Sequence, residues 1–166
     1  GGTMDNKVVY ILARTFSELN AITVRFNFRG VGKSQGEHNN GIGEAEDLQT
    51  LVAACKQWRP SAPVWLAGFS FGAYVTVKAQ GEIKPERVLL VAPPVSMYDF
   101  EVLDEINAPC IVLQGGQDEV VDAAVVQKWV KANSGKLVWM EQAGHFFHSK
   151  LNEVQLLLKA AWPGEF

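Results

Sequence analysis

The pentapeptide from Gly68 to Gly72 centres on Ser70 and directly follows the strand-like apolar run Val64 to Ala67. A helical pattern begins directly after Ser70, so the chain has to turn sharply from strand to helix at that residue. Glycines on both sides of the serine leave room for such a turn, because larger side chains would clash with its strained backbone. The turn is expected to raise the serine hydroxyl above the carboxyl end of a sheet.

Two further polar residues follow strand-like runs. Asp118 comes after the run Cys110 to Gly116, and His145 comes after the run Lys136 to Glu141. An imidazole can take the proton of a serine hydroxyl, and a carboxylate can orient that imidazole. Ser70 could instead be an N-cap of the following helix. Three strand ends that each supply one residue, in the order serine, aspartate, histidine, favour a catalytic triad.

Neighbouring residues compete for two of these three roles. His148 lies one helical turn from His145, but no glycine precedes it to free the loop, so His145 is the preferred base. Glu119 and Asp122 compete with Asp118 for the acid role. Asp118 is preferred because it lies closest to the strand end, where the position of the backbone is most fixed.

Helical and strand patterns alternate along the whole chain. Helices are predicted over residues 5–20, 44–58, 71–78, 121–132 and 152–161, and strands over 21–28, 64–68, 87–92, 110–115 and 137–141. Such alternation predicts an α/β fold with a mostly parallel sheet covered by helices on both faces. In such sheets ligands bind at the carboxyl ends of the strands, where the three candidate residues fall.

Composition narrows the class of protein. A chain of 166 residues with 48% hydrophobic residues is long enough for one domain with a buried core. Its net charge is −3 and it has no basic run, so we expect neither nucleic acid nor an anionic membrane as a partner. Apolar runs such as Val88 to Ala92 are too short to span a bilayer. Cys55 and Cys110 are expected to be reduced core residues, which fits the cytoplasm. We expect no metal and no cofactor, and the oligomeric state stays open between monomer and homodimer.

The segment from Gly30 to Ser34 ends like a phosphate-binding loop. The full pattern fails, because its first glycine would fall at Asn27. A flexible loop follows Ser34, where a phosphate site needs a helix N-terminus. We therefore predict a structural loop, with Arg29 anchoring backbone or carboxylate groups and His38 as a solvated surface residue.

Three segments carry a family resemblance: Gly-Gly-Thr-Met-Asp-Asn-Lys-Val-Val at Gly1 to Val9, Arg-Phe-Asn-Phe-Arg-Gly-Val-Gly-Lys-Ser at Arg25 to Ser34, and the pentapeptide around Ser70. With them the chain resembles the α/β-hydrolase superfamily, in particular its small capless bacterial serine hydrolases. The resemblance implies a three-layer sandwich in which Ser70 is the nucleophile, Asp118 the acid and His145 the base. It also makes the backbone N–H of Phe71 one oxyanion donor.

The resemblance further implies eight strands, of which the five predicted strands match the last five. We therefore expect the first three strands to be missing from this single domain (residues 1–166), Met4 to be internal, and such a fragment not to fold stably alone. The strands at 21–28 and 64–68 should stand about 9.5 Å apart, two strand spacings, without pairing directly. The second oxyanion donor is expected in the preceding loop, near Gly1 and Gly2.

Caps in this family usually follow the strand that here ends near Pro94, and the segment from Val95 to Pro109 is too short for one. An open site is therefore expected. Met97 and Tyr98, together with Phe100, are candidates for the acyl side of the pocket, although two of the three could equally be core residues.

The predicted function is that of a serine hydrolase, cleaving small carboxylic esters or thioesters through an acyl-enzyme on Ser70. Two alternatives stay open: an acyltransferase that uses the same triad, and a non-catalytic α/β-hydrolase-like module that binds a small molecule or protein.

Overall fold

Four strands form one parallel sheet in the computed structural model, which describes residues 2–100, 106–133 and 135–162. In sheet order, which is also chain order, they are β1 (Trp65–Phe69), β2 (Arg87–Val91), β3 (Cys110–Gly115) and β4 (Lys136–Met140). Every neighbouring pair is parallel. Strands β2 and β3 are buried almost throughout, as expected for a parallel sheet covered on both faces.

Five helices accompany the sheet in the described part of the chain. They are α1 (Lys7–Glu18), α2 (Ile42–Trp58), α3 (Phe71–Ile83), α4 (Ala123–Ala132) and α5 (Leu151–Ala161). Helices α1 and α5 cover one face of the sheet, α3 and α4 cover the other, and α2 packs on α3. The prediction of a three-layer α/β fold is therefore confirmed.

Side chains of the two central strands alternate between the two faces, as the pleat of a strand requires. One set packs in the cluster of α1 and α5: Leu89, Val91, Ile111 and Leu113. The other set packs in the cluster of α3 and α4: Val88, Leu90, Cys110 and Val112. Both sets are nearly inaccessible to solvent, so the sheet is a rigid platform for the loops at its carboxyl end.

Backbone hydrogen bonds continue past the strand ends and fix the first residues of these loops. The N–H of Ser70 donates to the carbonyl of Val91 at 2.8 Å, just beyond β1. The N–H of Gly116 donates to the carbonyl of Met140 at 2.9 Å, just beyond β3. The starting points of the loops that carry the candidate residues are thus tied to the sheet.

The prediction of a strand over residues 21–28 is wrong. This segment is not a strand in the structure, and β1 pairs only with β2 among the described residues. The expected absence of a direct ladder between it and β1 is observed. Its alternating apolar residues suit a strand, but a strand also needs a partner backbone. The segment is held instead by side chains, with Asn27 Oδ1 accepting from the N–H of Met4 at 2.7 Å and Phe26 and Phe28 packing beside Leu66.

Helix boundaries differ from the prediction where a neighbouring side chain makes the cap. Asn6, not Asp5, caps α1, because its Oδ1 accepts from the N–H of Val8 at 2.8 Å. Asp122 caps α4 by accepting from the N–H groups of Ala124 and Val125. At its other end α3 runs on to Ile83, past the predicted limit.

The loop that resembles a phosphate-binding loop is held by its own contacts. The N–H of Gly30 donates to Gln35, and Ser34 Oγ donates to the carbonyl of Asn27 at 2.9 Å. Arg29 forms a two-pronged pair with Asp47 of α2, both contacts at 2.7 Å, so Arg29 anchors a carboxylate as predicted. The loop therefore has a structural role, which is to fix the start of α2.

The two cysteines, Cys55 and Cys110, are free thiols. Cys110 is buried, and this burial raises its pKa to about 12. None of the helices among the described residues is long and apolar enough to cross a membrane.

Candidate active site

Ser70 occupies a strained turn between β1 and α3. Its φ of 52° and ψ of −120° lie outside the usual regions for a residue with a side chain. A Cβ at Gly68 would collide with the backbone carbonyl of Gly72, so residue 68 has to be glycine. At Gly72 itself a Cβ would meet only the Phe28 ring, at 3.9 Å. The two glycines that flank the serine are therefore not equivalent.

The structure brings Ser70, Asp118 and His145 together. The Nε2 atom of His145 lies 3.0 Å from Ser70 Oγ, and its Nδ1 atom lies 2.9 Å from Asp118 Oδ2. The side chain of Asp118 is fully buried and that of His145 is 3% exposed. This geometry allows a proton to pass from serine to imidazole while the carboxylate holds the other ring nitrogen.

The competing residues take other positions. His148 is exposed and lies beside Phe146, with the ring centroids 5.8 Å apart. Asp122 caps α4, as described above. Glu119 turns to the backbone of His145, whose N–H donates to Glu119 Oε2 at 3.0 Å. Asp118 and His145 are therefore the carboxylate and imidazole placed at Ser70.

The Asp118 carboxylate is surrounded by donors. Its Oδ1 accepts from the N–H groups of Val120 at 2.9 Å and Val121 at 2.7 Å. Burial raises the pKa of this carboxyl, but the hydrogen bonds from His145, Val121 and Val120 outweigh burial, so the pKa lies below its usual value. Asp118 is therefore ionised at neutral pH and can stabilise a positively charged imidazole.

Gln114 is a contributor that the sequence interpretation missed. It is fully buried in β3, and its Nε2 donates to Asp118 Oδ2 at 3.0 Å and to the carbonyl of Gly115 at 3.1 Å. Its Oε1 is buried without a hydrogen-bond partner among the described residues. A single amide within an apolar strand run is the signal that could have identified it, because a buried amide needs partners.

Phe71, the predicted oxyanion donor, is the first residue of α3. The N–H groups of a helix's first turn lack partners within the helix, and the helix dipole favours negative charge there. The backbone N–H of Phe71 is thus suited to an anion next to Ser70. Of the residues expected near a second donor, Gly1 lies outside the described residues and Gly2 is exposed.

Of the candidates for substrate contact, Phe100 belongs to the core, with 6% of its surface exposed. Tyr98 is half-buried between Tyr74, on which it stacks at 4.6 Å, and Phe71, at 5.7 Å between ring centroids. Met97 is 57% exposed. Residues 101–105 of the segment that was judged too short for a cap lie outside the described residues.

His38 lies on the surface as predicted, with 59% of its side chain exposed, but it also has specific partners. Its Nδ1 lies 2.9 Å from the buried carboxylate of Glu44, and its ring lies 5.2 Å from that of Phe71. The sequence interpretation missed Glu44, which also accepts from the N–H groups of Asn39 and Gly41. Burial raises the pKa of Glu44, but these backbone hydrogen bonds lower it below its usual value. His38 is therefore fixed on the side of the site that carries Phe71.

Within the described ranges, no group of three or more His, Cys, Asp or Glu side chains is placed to hold a metal ion. What the arrangement can do chemically is nucleophilic attack by a serine hydroxyl that an imidazole and a carboxylate activate.

The chain is similar to known proteins along most of its length. The family model for the alpha/beta hydrolase domain matches residues 1–157. An uncharacterized protein of Rickettsia prowazekii is 35% identical over an alignment of length 165, and the match covers 92% of this chain and 69% of that protein.

Two solved structures are similar along almost the whole chain. An α/β serine hydrolase without a lid from Xanthomonas campestris is 40% identical, with a TM-score of 0.92 over 96% of this chain and 74% of that one. An α/β serine hydrolase homologue from Coxiella burnetii is 46% identical, with a TM-score of 0.91 over 96% of this chain and 78% of that one.

Proposed function

Because the chain belongs to the alpha/beta hydrolase family, we propose that it is a serine hydrolase that cleaves small carboxylic esters or thioesters. The observation that carries the proposal is the 3.0 Å contact between His145 Nε2 and Ser70 Oγ, with Asp118 on the other ring nitrogen. A structural N-cap serine would need neither partner.

In the first half-reaction, Nε2 of His145 takes the proton of the Ser70 hydroxyl while Oγ attacks the carbonyl carbon. The carbonyl oxygen becomes an oxyanion that accepts from the backbone N–H of Phe71. The imidazolium then gives its proton to the departing alcohol or thiol, and the acyl group stays on Ser70 as an ester.

In the second half-reaction, the neutral imidazole of His145 takes a proton from a water molecule, whose oxygen attacks the acyl carbon. The attack forms a tetrahedral intermediate, and its collapse returns the proton to Ser70 and releases the carboxylic acid. Through both steps the Asp118 carboxylate accepts from Nδ1, which fixes the tautomer and stabilises the positive charge on the ring.

For the substrate we propose a small molecule whose acyl group contacts Met97 and Tyr98. Met97 is exposed beside Tyr98, and the Tyr98 ring packs against Phe71, whose N–H is the proposed oxyanion donor. We further propose that the protein acts in the cytoplasm, where the free thiols of Cys55 and Cys110 would stay reduced.

The test is turnover of p-nitrophenyl acetate and butyrate by wild-type protein and S70A. Loss of the nucleophile should lower kcat by roughly 10³-fold or more. S61A is the matched control, because Ser61 is an exposed loop serine, and it should match the wild type. Near-wild-type turnover by S70A would show that Ser70 is not the nucleophile. Repeating the assay with added alcohols separates hydrolysis from acyl transfer, because a transferase would form the new ester in preference to the acid.

A further inference from the structure

Two consecutive carboxylates hold a single histidine. Asp118 accepts from the ring Nδ1 of His145, and the next residue, Glu119, accepts from the backbone N–H of the same histidine at 3.0 Å. The first contact fixes the rotation of the imidazole ring about its side-chain bonds. The second fixes the backbone from which the ring projects.

The residue before the histidine makes room for the second contact. A Cβ at Gly144 would lie 2.7 Å from Glu119 Oε2, which is closer than a carbon and an oxygen approach each other without a bond. A glycine at this position therefore lets the carboxylate reach the N–H of His145. This is a steric reason for the glycine that precedes the candidate base.

The loop between β4 and α5 needs such a contact. Phe147 and Ser149, just after the histidine, have positive φ values of 50° and 60°, which are strained for residues with side chains. Strained backbone keeps its conformation only when surrounding contacts hold it. On the other side of His145, the carbonyl of Ala143 accepts from the N–H of Gln117 at 3.0 Å, so the backbones of the loop after β3 and the loop after β4 are also joined there.

The Glu119 side chain suits this task. The hydrogen bond from the backbone N–H of His145 lowers its pKa below the usual value, so the carboxylate is ionised and acts only as an acceptor at neutral pH. The residue is exposed to solvent, which screens its charge. The contribution to His145 is therefore through the geometry of the hydrogen bond more than through long-range charge.

We propose that Glu119 is a positioning residue for the serine-hydrolase reaction, holding the backbone of His145 so that Nε2 stays within hydrogen-bond distance of Ser70 Oγ. This inference rests on the proposed function for its kinetic consequence. Its structural part, the hold on His145, stands on the contact alone.

The kinetic test compares E119A with E119Q. Alanine removes the acceptor, and kcat should fall about tenfold with KM within about twofold, because one hydrogen bond to a charged group is lost. Glutamine keeps an oxygen at the same reach, and E119Q should stay within about twofold of the wild type. E141A is the matched control: Glu141 lies in the loop that carries His145 but accepts from Trp139 Nε1, and its loss should leave kcat unchanged.

A second variant, G144A, disrupts the contact between Glu119 and His145 without changing Glu119 itself. In G144A the new methyl group should push the Glu119 carboxylate away from the N–H of His145, and kcat should fall as it does in E119A. Melting temperatures of the variants should stay near that of the wild type, because Glu119 is exposed. A loss of kcat that merely follows a loss of folded protein would contradict a positioning role.

The proton NMR signal of His145 Nδ1–H shows how the ring is held without any turnover, and we expect it at low field because Nδ1–H donates to the Asp118 carboxylate. It should broaden or move to higher field in E119A and be restored in E119Q. An unchanged signal together with unchanged kcat in E119A would overturn the proposal, and so would equal losses in E119A and E119Q. If the wild type hydrolyses no ester, the proposed function fails, whereas this NMR comparison still decides whether Glu119 holds His145.

Discussion

The side-chain amide of Gln114 donates to the Asp118 carboxylate at 3.0 Å, from a strand whose other side chains are apolar. Burying an amide is costly unless its polar atoms find partners. Here the partner is the carboxylate that binds His145. The contact ties the end of β3 to the loop that carries Asp118, and it leaves that carboxylate with donors on both oxygens.

Replacing Gln114 by leucine should weaken catalysis without removing it. The variant Q114L keeps a side chain of similar size but takes away a donor to Asp118 Oδ2, so the carboxylate is held less firmly against His145. We expect kcat for p-nitrophenyl esters to fall about ten- to hundredfold, with KM within about twofold. Q117L is the control, because Gln117 is an exposed glutamine in the loop directly after β3. Equal kcat values for Q114L and Q117L would show that the contact does not serve the reaction.

The two glycines around Ser70 should respond differently to alanine. In G68A the methyl group meets the backbone of Gly72, which cannot move away without deforming the turn. We expect G68A to lower the free energy of unfolding by about 2 kcal/mol or more and to abolish most activity. In G72A the methyl group has room, and alanine suits a helix better than glycine, so stability should be unchanged or higher by about 0.5–1 kcal/mol. Chemical denaturation of the two variants measures both effects.

Similar losses in G68A and G72A would contradict the steric difference between the two positions. Full activity in G68A would go further and show that the turn does not depend on a glycine before the serine.

Stability should depend on pH through Asp118. Burial raises the pKa of this carboxyl, but the hydrogen bonds from His145, Val121 and Val120 bring it below its usual value in the folded protein. Such a group adds stability above its unfolded-state pKa of about 3.9, and that stability is lost as the pH falls through the lower folded-state pKa. The free energy of unfolding of the wild type should therefore exceed that of D118N by more at about pH 6 than at about pH 3.

The comparison needs a control for general charge effects. D99N removes an exposed carboxylate, and its difference from the wild type should change less with pH than that of D118N. If the difference in free energy of unfolding between the wild type and D118N stayed constant across this pH range, the surroundings of Asp118 would not stabilise its ionised form.

The sequence predicted the parts of the fold that depend on local pattern. Apolar runs identified the four strands of the sheet, and the order of Ser70, Asp118 and His145 at strand ends identified residues that the structure brings together. The strand at residues 21–28 was predicted wrongly, because an apolar alternation does not show whether a partner strand lies beside it.

Contacts that form only in the folded chain could not be predicted from the local sequence pattern. His38 is the solvated loop residue that the sequence predicts, but only the fold shows its contacts with the buried carboxylate of Glu44 and with the Phe71 ring. Glu119 was considered as a rival of Asp118, whereas its partner is a backbone N–H supplied by another loop. Gln114 is the exception, because a lone amide in an apolar strand could have been noticed.

The residue to which a fluorophosphonate becomes attached identifies the nucleophile directly, and we expect it to be Ser70. Wild-type protein is treated with the probe, digested and analysed by mass spectrometry, alongside S70A and S61A. We predict one modified peptide carrying the probe on Ser70 in the wild type and in S61A, none in S70A, and loss of esterase activity in step with labelling. Labelling of a different residue, or full esterase activity after Ser70 is completely labelled, would show that Ser70 is not the nucleophile.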